Sequence, residues 1–220
     1  ENIQWLCQHS KAHLHVDLIA GLPGETVASF ASGFNQLYAL GPHEIQFGIL
    51  KRLRGTPIIR HTEDFGMRFD PYPPYTILAN KDVPFAEMQK LVRFARYWDL
   101  VANSGRFSHT LPVILGDAPF ENFMALSDWI YAKTDATHKI ALDRLANLVT
   151  QWLCQERGMP QQEVLTMIGK DYAGDAKHKQ SPEILRAENL ADKSAQKSAA
   201  TTLVAENKAR PKRQSRHLQN

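Results

Sequence analysis

Cysteine is scarce in this 220-residue chain, which has only Cys7 and Cys154. That count excludes a disulfide framework and a four-ligand thiolate metal site, and two reduced, buried thiols are expected. Long apolar runs are missing too. Stretches such as Leu111–Leu115 fall far short of the roughly 20 residues that span a bilayer, and no basic-then-apolar leader opens the chain. The expectation is a cytoplasmic protein with no membrane partner. No internal repeat is visible, and large apolar residues thin out near the end. From Gly174 onward ten Lys/Arg face five Asp/Glu, so this stretch carries +5 of a net +3 and the rest of the chain is −2. Residues 171–220 are therefore expected to form a disordered basic tail. Its Arg210-Pro-Lys-Arg-Gln-Ser-Arg216 run has no interleaved aromatic for base stacking, so weak polyanion contact is the most it supports and a solubilising role is the simpler one.

What is present suffices for a core, with 43% apolar residues. Ile3, Leu6 and Cys7 read as the end of a helix begun upstream, as in a piece of a longer protein. Leu14-His-Val-Asp-Leu-Ile-Ala20 is a β-branched apolar run closed by Gly21-Leu-Pro-Gly24, a strand and a sharp turn. Val27, Phe30, Ala31, Phe34, Leu37 and Tyr38 recur at helical spacing until Gly41-Pro42, and Glu44–Leu50 alternates as a second strand. Strand, helix and strand in this span predict a βαβ crossover with parallel strands. A Pro-, Gly- and Tyr-rich connection follows. Beyond it only helical periods appear: Phe85, Met88, Leu91, Val92, Ala95 and Trp98 after Pro84; Phe120 to Tyr131 with Asp117 as N-cap; Ala141 to Trp152; and a short segment from Glu163 to Ile168. The fold expected is α/β then all-α, with an α/β piece at 1–60, a linking loop at 61–81, a helical domain at 82–170 and the tail.

Asp17-Leu-Ile-Ala-Gly21-Leu-Pro-Gly24-Glu25-Thr26 holds more detail than a turn requires. Two glycines and a proline at the carboxyl end of a buried strand let backbone approach a ligand, and ligands sit at such strand ends in parallel α/β proteins. Glu25 and Thr26 open the next helix, where an acid complements the dipole and a hydroxyl caps free N–H groups. On spacing alone, an ordinary strand-to-helix turn is the simpler reading.

This stretch resembles the fifth-strand motif of radical S-adenosylmethionine (SAM) enzymes, Ile-x-Gly-x-Pro-Gly-Glu-Thr, matched by Ile19, Gly21, Pro23, Gly24, Glu25 and Thr26. Ile45-Gln-Phe-Gly-Ile-Leu-Lys51-Arg-Leu-Arg-Gly55-Thr-Pro57 looks like the sixth strand of that barrel and its exit. With Asn103-Ser-Gly-Arg-Phe107, it resembles the branch that has an N-terminal cobalamin-binding domain and a helical C-terminal domain. The resemblance implies a partial (β/α) barrel, with Ile19, Gly21, Leu22, Pro23, Gly24, Glu25 and Thr26 beside SAM. It further implies a 4Fe-4S cluster, cobalamin in the complete protein, and methyl transfer among the reactions open to it. The family's C-x3-C-x2-C cluster loop is absent here, as are the earlier barrel strands. Their partner would be the missing N-terminal barrel and cobalamin domain, and the substrate is unknown. Fe–S clusters need thiolates, so this piece alone is not expected to reduce SAM.

Three further features have two readings each. Alternation puts His13, His15 and Asp17 on one strand face, with His9 nearby, as metal ligands or, more simply, as hydrogen-bonded histidines. Lys51, Arg52, Arg54, Arg60 and His61 form a basic cluster at the mouth of the second strand, for a substrate phosphate or carboxylate or as a solvated loop. Phe69, Tyr72 and Tyr75 either cover a cavity or pack their own loop. For the whole chain, the alternative to an enzyme portion is a stand-alone helical interaction module that binds nucleic acid or another polyanion through its tail.

Overall fold

The computed structural model describes residues 2–174, all within one compact unit. The expectations for the tail beyond Gly174 lie outside the described residues. After α1 (Asn2–His9) come β1 (His15–Ala20), α2 (Val27–Ala39) and β2 (Glu44–Ile49). The two strands are parallel, with His15 opposite Glu44 and Ala20 opposite Ile49, as strand–helix–strand spacing predicts. A 3-10 turn (Pro57–His61) leads to a small antiparallel pair, β3 (Arg68–Phe69) with β4 (Ile77–Ala79). The segment expected as irregular thus contains a hairpin. Its β4 end continues the sheet edge, because Ile77 N–H donates to the Leu50 carbonyl and Arg52 N–H to the Tyr75 carbonyl.

Helices make up the rest: α3 (Phe85–Trp98) with a π-helical turn at Asp99–Asn103, α4 (Leu111–Leu115), α5 (Pro119–Thr134), α6 (Leu142–Gln155) and α7 (Gln161–Gly174). Three expectations change. Phe85 is 55% exposed and does not belong to the buried stripe of α3. Ala118, not Asp117, caps α5, with Pro119 in the first turn. And α7 runs past Gly169 to Gly174 because Asp171 and Tyr172 are buried, so the boundary expected at 170 falls at least four residues too early. Asp171 is retained there by polar need: its carboxylate accepts from the His109 and Thr110 N–H groups and from the Thr110 hydroxyl, which ties α7 to the entry of α4.

Domain division at 60 and 82 is also not what packing produces. Phe30 and Phe34 of α2, Phe47 of β2, Phe94 and Trp98 of α3, and Phe120 and Phe123 of α5 form one aromatic cluster, with neighbouring centroids 4.8–6.3 Å apart. The βαβ unit and the helices therefore share a core.

The helices also cover one edge of the sheet. Glu44 and Leu50 direct their N–H groups toward β1, so the intervening Ile45 faces outward, and its carbonyl accepts from Trp98 Nε1 (2.9 Å) and Asn103 Nδ2 (3.0 Å). The outer edge of β1 has no strand beside it among the described residues. Asn103→Ala is expected to cost about 1 kcal/mol, one net hydrogen bond, since Trp98 still serves the carbonyl. Urea denaturation checks this, with the midpoint falling and the slope unchanged.

Candidate functional site

At the carboxyl end of β1 the chain turns through Gly21 (φ +93°) and Gly24 (φ +77°), conformations that side-chain-bearing residues rarely adopt. Thr26 then caps α2. Its hydroxyl accepts from Ser29 N–H at 3.1 Å, while Ser29 Oγ accepts from Thr26 N–H at 3.0 Å, a reciprocal box that leaves Thr26 a structural task.

Gly21 proves to be structural too. It is buried, and a Cβ there would lie 2.7 Å from Ile77 Cγ2 and 3.2 Å from Met88 Cε, so the close approach it permits is to β4 and α3 of this same chain. Asn80, also buried, supports the turn. Its amide makes long hydrogen bonds to the Gly21 and Leu22 carbonyls (3.4 and 3.5 Å), and its Oδ1 accepts from Asp82 and Val83 N–H.

The other residues of the motif face outward. Ile19 is 42% exposed and Leu22 38%, Gly24 is exposed, and Pro23 is half-buried. Glu25 has one carboxylate oxygen buried without a hydrogen-bond partner among the described residues, and burial pushes its carboxyl above the usual range. A raised carboxyl favours the protonated fold: its stabilisation is complete below the unfolded-state pKa and is lost as pH rises through the folded one. Glu25→Gln is therefore expected to raise the Tm at neutral pH, with the gap to the parent closing in acid. Thermal melts between pH 4 and 8 check the sign.

Asp17 and Ile19 of β1 and their register partners Gln46 and Gly48 lie on the sheet face that stays open among the described residues. With Leu50 and Leu53, and with Val92 of α3 and Asp99 of the π-helical turn, they line a concavity of about 660 Å³. Leu53 also borders a second concavity, about 770 Å³, walled by Arg52, Arg54 and Arg60. The two adjoin, so the bare face runs into the basic loop. Arg52 is held over the Phe69 ring at 5.3 Å. Tyr75 lines the basic concavity, whereas Tyr72 is 74% exposed and covers nothing.

The histidines gather at the opposite end of the strands. Donor atoms of His13, His15 and Glu44 lie within 4.8 Å of one another, and His15 Nδ1 sits 2.8 Å from Glu44 Oε2. His43 Nδ1 accepts from Leu14 N–H, and the His13 ring rests 4.7 Å from both His15 and His43. Asp17, expected among them, lines the concavity instead, and Glu44 from the neighbouring strand takes its place. Neither Glu44 nor Asn80 was legible as part of a site, because the strand register and the fold-back of β4 brought them in. The cysteines stay apart, Cys7 donating to the Gly41 carbonyl and Cys154 lying on α6.

A family model described as "Protein of unknown function (DUF4080)" matches residues 63–218. The chain belongs to this family. No curated protein matches it. Within the DUF4080 match lie β3, β4 and all the helices from α3 onward, including the residues that cradle Gly21 and cover the β2 edge. The Gly21–Thr26 turn precedes the match. No helix among the described residues is long and apolar enough to cross a membrane.

Proposed function

We propose that this chain is the C-terminal portion of a radical SAM enzyme of the cobalamin-binding type, supplying the last two strands of its barrel and its helical C-terminal part. One observation carries the reading. Among the described residues, a parallel strand pair carries the Ile19–Thr26 motif at its carboxyl end, exposes Asp17, Ile19 and Gln46 on one face and has no strand beside the outer edge of β1. That edge is where a barrel would add its preceding strand.

Fit to the implied groups divides cleanly. Two separated thiols do not form a 4Fe-4S site, so cluster ligation belongs to the rest of the protein and no reaction step follows from this chain. For SAM the fit is better: Ile19 and Leu22 offer exposed apolar surface to an adenine. Bound SAM would supply radical chemistry to the complete enzyme, and this chain's share is to hold and orient the adenosyl end. Cobalamin is assigned to the N-terminal domain.

The test is Ile19→Asp in the full-length protein with its cluster reconstituted. Iron content and the melting transition should hold while SAM binds at least tenfold more weakly. Unchanged SAM affinity in a stable, iron-replete variant overturns the reading.

A further inference from the structure

Arginine at a strand mouth has a use that the proposed SAM site leaves open. Arg52, Arg54 and Arg60 border one concavity, and no acidic residue is among the nine that line it. None of the three is ion-paired with a carboxylate among the described residues. Three arginines lining one concavity with no carboxylate beside them concentrate positive charge there, an arrangement that becomes favourable once an anion fills it. Two hydroxyl-bearing residues, Thr56 and Tyr75, complete the polar wall.

The loop is anchored rather than loose. Arg52 N–H donates to the Tyr75 carbonyl at 3.0 Å, Lys51 bridges Thr76, and the Thr56 hydroxyl and N–H both donate to the Leu53 carbonyl. Stacking over Phe69 holds the Arg52 side chain. Apolar surface lies beside the charges, with Leu53 55% and Ile59 59% exposed. The volume, about 770 Å³, matches a small-molecule site.

We infer that this arginine concavity binds the oxyanion head, a phosphate or a carboxylate, of a small substrate whose apolar body lies along Leu53 toward the bare sheet face. Arginine suits either head because its planar fork pairs bidentately with both. The inference rests on the proposed function for calling the ligand a substrate: Leu53 borders both concavities, so a molecule anchored here reaches the region assigned to SAM. The anion site itself needs neither SAM nor cluster.

Its experiment uses this chain without SAM. Calorimetric titration with inorganic pyrophosphate and, separately, with citrate should give saturable one-to-one binding of at least one of them. The stronger ligand names the head group. Arg54→Gln and Arg60→Gln, both at exposed positions, should each weaken it at least fivefold and together more than twentyfold, with melting transitions unchanged. Lys139→Gln, which removes the same charge elsewhere, should leave it within twofold. Arg60→Lys keeps the charge but loses the fork, and an intermediate loss is expected. Absence of saturable binding to either anion overturns the inference. So does an equal effect of Lys139→Gln, or binding only to single-stranded RNA. Because Ile19→Asp reads SAM affinity and this titration reads anion affinity, either proposal can fail while the other stands.

Discussion

Phe94→Ala is expected to lower the unfolding free energy by about 4 kcal/mol, within the range for a fully buried phenylalanine. The ring is 0% exposed and contacts Phe34, Phe47, Trp98, Phe120 and Phe123, so its removal opens a hole between α2, β2, α3 and α5 at once. Rigid neighbouring rings cannot collapse into that space, which places the cost toward the high end. Because the ring joins the βαβ unit to the helices, far-UV signal and tryptophan emission should shift together in urea. A loss below 1 kcal/mol, or two separate transitions, would show that the strands and helices do not share a core after all.

Gly21→Val is expected to destabilise the chain by about 3 kcal/mol. A β-branched residue at φ +93° carries roughly 1–3 kcal/mol of backbone strain. Its Cβ would also meet Ile77 Cγ2 at 2.7 Å in a packed interior, where overpacking adds a further penalty of about 1–3 kcal/mol. Gly24 separates the two causes: its φ is also positive, but the nearest atom, Phe65 Cε1, would be 3.4 Å from an added Cβ, so Gly24→Ala should cost about half as much. Chemical denaturation of both variants decides. A stable Gly21→Val protein would mean that the turn does not rest on β4 and α3 as described. For the cofactor reading the consequence is a change of probe. The resemblance put Gly21 among the residues expected beside SAM, whereas the contacts give it to the chain's own packing and leave Ile19 and Leu22 exposed.

The misreadings share a physical cause. Helical and strand periods are local, so β1, α2, β2 and the main helices were legible from residue types alone. The glycine–proline turn and the end of α2 were legible for the same reason. The hairpin of β3 and β4 was hidden inside a Pro- and Tyr-rich stretch because its strands are two and three residues long, too short for alternation to register. The end of α7 was set too early because Gly169 looks like a stop. Burial of Asp171 and Tyr172 against distant segments carries the helix past it.

Local residue patterns were enough for the parallel βαβ unit, the helical remainder and the motif at the strand end, all of which depend on neighbours within a few residues. Arginine spacing also marked the strand mouth as basic. Which side of each element is occupied came from long-range packing. It set Ile77 and Met88 against Gly21, gave the Ile45 carbonyl to Trp98 and Asn103, put Glu44 beside His15, and joined two expected domains through Phe94. These pairings bring together residues remote in the chain, and their identity depends on register and packing that no local period encodes.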